Sequence, residues 1–154
     1  MQTIVSANDV AQFILSSKSP LPAFHLHKFL YYCQAWSLVW DGVPLFHEPI
    51  EAWANGPVVR ELYEKHKGVD NFDFWPYGDM CVLDFKQKYT ILSVMNGYSK
   101  HTVQELKDQI LNEGPWKKAR CGLSDAERGN RVISLDSLRK FYTKIYNKNK
   151  PKGE

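Results

Sequence analysis

The sequence predicts a mostly α-helical protein: a compact single-domain helical bundle around a central buried helix at about residues 23–40, with one or two very short β pieces. The length of 154 residues suits one domain, and 44% hydrophobic residues suffice for one sizeable core. Apolar residues recur at the three- and four-residue spacing of helices. Without a repeat or low-complexity linker, we expect one domain over residues 1–146 and a basic flexible tail over residues 147–154.

The first helix is predicted from about Asn8 to Ser16, capped by Ser6 or Asn8, whose side-chain oxygens suit a helix start. The prolines of SSKSPLP then break the chain. The central helix should run from about Ala23 to Trp40. Its residues are apolar on nearly all faces, which is typical of a helix buried at the centre of a fold.

The stretch EAWANGPVV, residues 51–59, follows a short extended piece, VPLF, at residues 43–46. Gly56 supplies the backbone freedom of a tight turn, and Pro57 is predicted to begin a helix that closes at Gly68. We interpret Trp53 as an anchor against the central helix and Asn55 as bonded to local backbone. The alternative is that this stretch is a loop that contacts a partner.

Residues 68–80 form a loop that is rich in aromatic side chains: Phe72, Phe74, Trp75 and Tyr77. Such a loop either folds onto the core or forms an exposed patch that marks an interaction site. The next helix, capped by Asp84 and ended by Asn96-Gly97, carries four apolar side chains on one face: Phe85, Tyr89, Leu92 and Met95.

Three further elements complete the predicted bundle. Thr102 and Glu105 match a capping box for a helix with Val103, Leu106 and Ile110 inward. Gly114-Pro115-Trp116 ends that helix and begins a short turn, and Val132-Ile133 look extended. Ser134 or Asp136 caps a last helix, which buries four apolar side chains: Leu138, Phe141, Tyr142 and Ile145.

The charge is uneven along the chain. Residues 1–99 hold seven Lys+Arg and ten Asp+Glu, whereas residues 100–154 hold thirteen and seven. The basic end favours an anionic partner, either nucleic acid or an acidic protein face. The N-terminus lacks a secretory signal pattern and no apolar run is long enough to span a membrane, so we expect a cytoplasmic protein. Three separated cysteines predict reduced, mostly buried thiols.

The sequence contains no recognisable reaction centre. His25 and His27 are two residues apart and diverge on a helix, and neither a metal-binding nor a nucleophile motif is present. We therefore expect no catalytic residue, no metal and no cofactor. Cys33 is predicted to pack in the core. The alternatives are a nucleic-acid-binding regulator that uses the basic C-terminal third and an unrecognised hydrolase.

The segment HKFLYYCQAWSLVWDGVPLFHEPIEAWANGPVVRELYE resembles the signature of the Panacea domain family, which comprises SocA-like and GepA-type phage-associated proteins. The resemblance continues through Pro115-Trp116, Ala119-Arg120 and Ile133 into the final helix, and covers roughly residues 5–146. Many relatives carry Thr-His shortly before Pro-Trp. This chain has Gln109-Ile110-Leu111-Asn112 there, so any role of that histidine does not carry over.

The resemblance implies a helical bacterial or phage antitoxin without enzymatic activity, which neutralises a cognate protein toxin encoded by an adjacent gene. The resemblance also implies neutralisation by direct binding, with a further role as an adaptor that delivers the toxin to a cytosolic protease, because one relative resembles such an adaptor. Nucleic acid or a membrane is not expected as partner. We predict five partner-binding residues, Trp40, Trp53, Asn55, Trp75 and Tyr77. The residues of the structural motif are Tyr31, Trp36, Gly56, Pro57, Pro115 and Trp116.

Overall fold

The structure is a computed structural model and describes residues 4–124 and 126–149. Within these ranges seven α-helices confirm the mostly α-helical fold: α1 (Ala7–Ser17), α2 (Ala23–Trp40), α3 (Arg60–His66), α4 (Phe85–Tyr98), α5 (Val103–Leu111), α6 (Gly114–Ala119) and α7 (Leu135–Lys148). Four short strands form two antiparallel pairs: β1 (Leu21–Pro22) with β4 (Asn71–Phe72), and β2 (Glu51–Trp53) with β3 (Gly56–Val58). A 3-10 turn at Met80–Val82 precedes α4.

Helix α2 lies at the centre of the molecule, as its all-round apolar sequence predicts. It packs against α1, α4, α5, α7 and strand β3. Its buried Gln34 makes three hydrogen bonds to one segment: the amide oxygen accepts from the backbone N–H groups of Leu45 and Phe46, and the amide nitrogen donates to the Phe46 carbonyl. The segment at residues 43–46, where only Phe46 makes a β-bridge, is therefore held to the central helix by one polar side chain.

Side-chain caps fix the starts of the helices where the sequence predicts them. Ser6, Asp84 and Thr102 each form a capping box, and Ser134 accepts a hydrogen bond from the backbone N–H of Ser137. Each cap satisfies backbone N–H groups that have no partner within the helix. Helix α7 ends at Lys148, so the predicted tail overlaps its last two residues, and residues 150–154 lie outside the described ranges.

Several predicted details are wrong. Pro57 does not begin a helix: it lies in strand β3, and α3 begins at Arg60. Helix α4 continues through Asn96-Gly97 to Tyr98. Two of the three cysteines, Cys81 and Cys121, are exposed, whereas Cys33 is buried in the core as predicted.

The face of α4 that carries Phe85, Tyr89 and Leu92 points to solvent. These side chains are 87%, 67% and 46% exposed, and only Met95 of the predicted set is buried. The buried face of α4 instead consists of Gln87, Thr90, Ile91, Val94 and Met95.

The aromatic loop between α3 and the 3-10 turn shows both predicted outcomes: two of its aromatic side chains fold onto the core and two stay exposed. Phe72 and Trp75 are buried, and the Trp75 indole N–H donates to the side-chain oxygen of Asn8 on α1. Phe74 and Tyr77 remain exposed. In the described ranges, no helix combines the length and the apolar character that a membrane span requires.

Candidate functional site

The stretch EAWANGPVV forms a tight β-hairpin, made of β2, β3 and the turn at Ala54-Asn55. Glu51 pairs with Val58, Ala52 with Pro57 and Trp53 with Gly56. Gly56 has a φ of 134°, which glycine adopts without strain. A Cβ at this position would also lie 3.5 Å from the Lys28 amine, so the hairpin tip sits directly over that buried lysine.

Trp53 is fixed by a compact set of polar and aromatic contacts. Its indole N–H donates to Glu51, and the two carboxylate oxygens of Glu51 accept hydrogen bonds from the Arg60 guanidinium at 2.9 and 3.0 Å. Arg60 and Arg128 both lie over the Trp53 ring, 5.3 and 5.7 Å from its centroid. The Tyr63 ring packs edge-on against the Trp53 ring, with 4.7 Å between the two ring centroids. Trp53 is therefore held rigidly beside two cationic groups.

Trp53, Tyr63 and Arg128 border an open depression of about 340 Å³, which we call the hairpin groove. Its lining residues come from α2, the hairpin, α3 and the loop before α7: Phe24, Trp53, Ala54, Asn55, Val58, Tyr63, Ala126 and Arg128. The groove thus offers three aromatic side chains, one amide and one guanidinium group. Among these lining residues there is no histidine, cysteine or carboxylate.

Positive charge surrounds the hairpin tip. The Lys107 amine on α5 donates to the Asn55 side-chain oxygen at 3.3 Å, and the Lys28 amine donates to the Phe24 carbonyl at 3.4 Å. Burial, together with the nearby charge of Lys107, lowers the pKa of Lys28 to about 8. Asn55 was expected to bond local backbone, and its observed partner is instead a side chain on a distant helix.

Arg120 attaches the loop that carries Arg128 to the hairpin. This buried guanidinium donates to the backbone carbonyls of Ala52, Ser124 and Glu127 and stacks over Trp116 at 5.1 Å. These hydrogen bonds join strand β2, through Ala52, to the irregular segment that follows α6. Arg120 therefore acts as a positioning residue for one wall of the groove.

The residues of the predicted structural motif lie in the hairpin, in α6 and in the central helix α2. Trp116 donates its indole N–H to the Trp53 carbonyl, and Pro115 is buried in the first turn of α6, where its missing N–H costs nothing. Tyr31 is buried and donates to the Glu113 carboxylate. Trp36 donates to the Tyr98 hydroxyl. The motif thus fixes α6 and the hairpin against the core.

The five predicted partner-binding residues do not form one surface. Trp53 and Asn55 lie together in the hairpin groove. Trp40, at the C-terminal end of α2, stacks on Trp36 and is 43% exposed. Tyr77 is exposed on the aromatic loop, with its ring 5.4 Å from that of Trp75, whose own side chain is only 1% exposed.

Sequence reasoning missed most of the groove. Phe24, Tyr63, Lys107, Arg120 and Arg128 were not singled out as site residues. The cations come from segments separated by many residues in the chain, and a lone Lys or Arg in a sequence is usually solvated surface. The one usable signal was the Ala119-Arg120 pair within the family-like segment.

The histidines do not gather around the groove. His27 and His66 are buried and face each other, His25 is buried against Phe29, and His47 and His101 are exposed. Across the part of the chain that the structure describes, no group of three or more His, Cys, Asp or Glu side chains could hold a metal ion.

Comparison with known proteins gives one match. A model of the family described as antitoxin SocA-like, Panacea domain, matches residues 26–117, which span α2 to the middle of α6 and include the whole hairpin. This is shorter than the resemblance over residues 5–146. Neither the curated proteins nor the solved structures give a match.

Proposed function

This chain belongs to the SocA-like antitoxin family with a Panacea domain, and we propose that it neutralises a cognate protein toxin by binding it directly. The toxin is encoded by an adjacent gene, and binding takes place in the cytoplasm. The family description indicates a non-enzymatic role. The family model covers more than half of the chain, so the inference concerns the folded core and not a peripheral segment.

The hairpin groove is the observation that carries this proposal. Residues that dominate the binding energy of protein interfaces are mostly Trp, Tyr and Arg in well-packed surroundings. The groove brings together Trp53, Tyr63 and Arg128, each held by contacts already present in the free protein. A contact surface that is ordered before binding loses less conformational entropy when a partner docks.

The exposed aromatic side chains of Trp40 and Tyr77 are secondary candidates for partner contact. They lie outside the groove on other parts of the surface. Trp75 contributes through packing, because its ring is buried beneath that of Tyr77 and its N–H is bonded to Asn8. We propose that any effect of Trp75 on toxin binding is transmitted through the position of Tyr77.

A hydrolase is less well supported than a binding protein. His27 and Glu113, whose pKa values burial displaces strongly, lie in the core and do not line the groove. A general acid or base has to reach the bound substrate. The groove presents aromatic surface and positive charge, which suit recognition.

Growth rescue tests the proposed function. The product of the adjacent gene is expressed in a bacterial host alone and then together with this chain. We expect growth to stop in the first case and to resume in the second, and the two proteins to co-purify. A harmless neighbour, or a toxic one that this chain neither rescues nor binds, would contradict the proposal.

Delivery to a protease is a separate step that the same strains can reveal. After protein synthesis is blocked, the amount of toxin is followed with and without this chain. A stable toxin level indicates neutralisation by occlusion. A toxin that disappears faster in the presence of this chain indicates an adaptor function.

A further inference from the structure

We infer that the hairpin groove receives an acidic segment of the toxin, with a carboxylate held by Arg128 and an apolar side chain against Phe24, Trp53 and Tyr63. Lys28 and Lys107 supply additional positive potential at the hairpin tip. This inference rests on the proposed function and adds the chemistry of the partner. Its basis is the uncompensated charge around the groove.

Arg128, Lys107 and Lys28 form no ion pair within the described part of the chain. Several cations elsewhere on the surface do have carboxylate partners. Arg60 is bound by Glu51 and also contacts Glu64, Lys65 pairs with Glu61, and Arg139 and Lys140 share Asp136. Glu51 is already engaged by Arg60 and Trp53. The groove therefore has an excess of positive charge that an incoming anion can neutralise.

Lys28 is the strongest single indication of an anionic partner. The residue is 1% exposed, and its amine has one hydrogen bond, at 3.4 Å, to the Phe24 carbonyl. An ammonium group that leaves water loses solvation, and an opposite charge nearby offsets that loss. The charged neighbour that perturbs it is Lys107, which is also positive. An anion above the hairpin tip would favour the charged form of Lys28.

The shape of the groove favours a protein segment over nucleic acid. A depression of about 340 Å³ with three aromatic walls accommodates one or two side chains. Proteins that bind nucleic acid present an extended basic groove or stripe that follows successive phosphates. On α7, the basic side chains of Arg139 and Lys140 are paired with Asp136, which offsets their positive charge.

Charge reversal tests this inference with the adjacent gene's product as the probe. Arg128→Glu and Lys107→Glu are compared with Lys144→Glu, which makes the same change in net charge on the exposed surface of α7. We expect both groove variants to bind the toxin at least about tenfold more weakly by calorimetry, and the Lys144 variant to bind as the wild type does. Circular dichroism melts of all three variants test whether the fold is intact.

A compensating substitution identifies the contact. Each exposed Asp or Glu of the toxin is changed to Arg, and one such change is expected to restore binding to the Arg128→Glu variant. If the wild type neutralises the toxin and both groove variants bind equally well, the inference is overturned while the proposed function stands. If the wild type does not bind the toxin, both fall.

Binding to DNA is the competing outcome. A 20-base-pair duplex is titrated with the wild type and with Arg128→Glu at low and at moderate salt. If the duplex binds tightly and in a salt-dependent way, and Arg128→Glu abolishes this binding, the groove binds DNA phosphates. That result would overturn the acidic-segment inference. No binding of the duplex, together with weaker toxin binding by the groove variants, supports it.

Discussion

The Nε2 atoms of His27 and His66 lie 2.8 Å apart in the core, and this contact joins α2 to α3. The backbone N–H of Val59 donates to Nδ1 of His27, so that nitrogen carries no proton. His27 must then donate from Nε2, and His66 accepts at Nε2 and carries its proton on Nδ1. Because a further proton would bring two N–H groups face to face, both rings are neutral in the folded protein.

We predict that this pair makes the protein less stable in acid. Burial lowers the pKa of His27 to about 3, and burial also lowers that of His66. In the unfolded chain both imidazole rings become protonated near pH 6.5, whereas in the folded chain they stay neutral at that pH. The free energy of unfolding therefore decreases as the pH falls from 6.5 toward 4.

Replacing one partner tests this pH dependence. His66→Gln removes one titrating group, and the dependence of unfolding free energy on pH between 6.5 and 4 should weaken by up to about 1.4 kcal/mol per pH unit. Urea unfolding at several pH values measures it, and His101→Gln at an exposed position is the control. An unchanged slope in His66→Gln would refute the neutral-pair assignment.

Glu113 is predicted to act in the opposite direction. Its carboxylate accepts hydrogen bonds from the hydroxyl groups of Tyr31 and Tyr142, and burial raises its pKa to about 7. Between pH 4.5 and 7 the folded chain keeps a proton that the unfolded chain has lost. Stability contributed by Glu113 is therefore complete below about pH 4.5 and is lost as the pH rises through 7.

Glu113→Gln isolates this effect. The wild type should lose about 3 kcal/mol relative to the glutamine variant between pH 4.5 and pH 8, as measured by urea unfolding of both proteins. Glu64→Gln, at an exposed position, is the control. A constant difference between the wild type and Glu113→Gln over this range would show that Glu113 titrates normally.

Helix α4 shows where the sequence pattern misleads. The 3,4 spacing of Phe85, Tyr89 and Leu92 indicates a buried stripe, yet these side chains face solvent. Two polar residues are buried in their place because each has a partner: Gln87 completes the capping box with Asp84, and Thr90 donates to Asp41 at the end of α2. Periodicity detects apolar stripes and cannot detect polar groups that are satisfied inside the fold.

The hairpin groove shows a second limit of prediction from sequence, which concerns contacts between distant segments. The central helix and most helix starts follow from local composition and capping residues, so they were predictable. The sequence predicts a helix start at Pro57 because proline suits that position, but the observed pairing of Ala52 with Pro57 depends on contacts across the turn. The approach of Arg128 to Trp53 spans 75 positions and has no local signature.

The reversed orientation of α4 makes a direct prediction. Phe85→Ser should change the free energy of unfolding by less than about 0.5 kcal/mol, because the side chain is already in water. Ile91→Ala, on the buried face, should cost about 2–5 kcal/mol. Chemical denaturation of the two variants measures both values. A large loss of stability for Phe85→Ser and a small loss for Ile91→Ala would instead support the orientation of α4 that the sequence suggests.

Gly78 is predicted to tolerate no side chain. A Cβ there would lie 2.6 Å from the backbone of Asn8, and its φ of 113° is unfavourable for other residues. Gly78→Ala should therefore cost roughly 2–4 kcal/mol. Gly68→Ala is the matched control, since its φ is also positive but its surroundings are open; it should cost about 1–2 kcal/mol. Equal thermal shifts for the two variants would argue against the close approach.

Arg120 is predicted to determine the shape of the groove wall. Arg120→Met keeps most of the side-chain volume but removes the guanidinium that donates to the carbonyls of Ala52, Ser124 and Glu127. The Ser124 carbonyl then keeps one donor, the backbone N–H of Glu127. We expect a loss of about 2–4 kcal/mol in stability, because hydrogen bonds from a buried charged group are stronger than neutral ones. Arg139→Met on the surface of α7 should cost less than about 1 kcal/mol, since exposed ion pairs contribute little.

Arg120→Met also distinguishes two roles of Arg120: a contribution to global stability, and the positioning of the loop that carries Arg128. If Arg120 holds the loop that carries Arg128, Arg120→Met should also increase hydrogen exchange in residues 121–131, while α1 and α4 remain as protected as in the wild type. Mass spectrometry of exchanging peptides gives this readout. A uniform increase over the whole chain would mean that Arg120 contributes to global stability alone, and Arg128 would then be held beside Trp53 by other contacts.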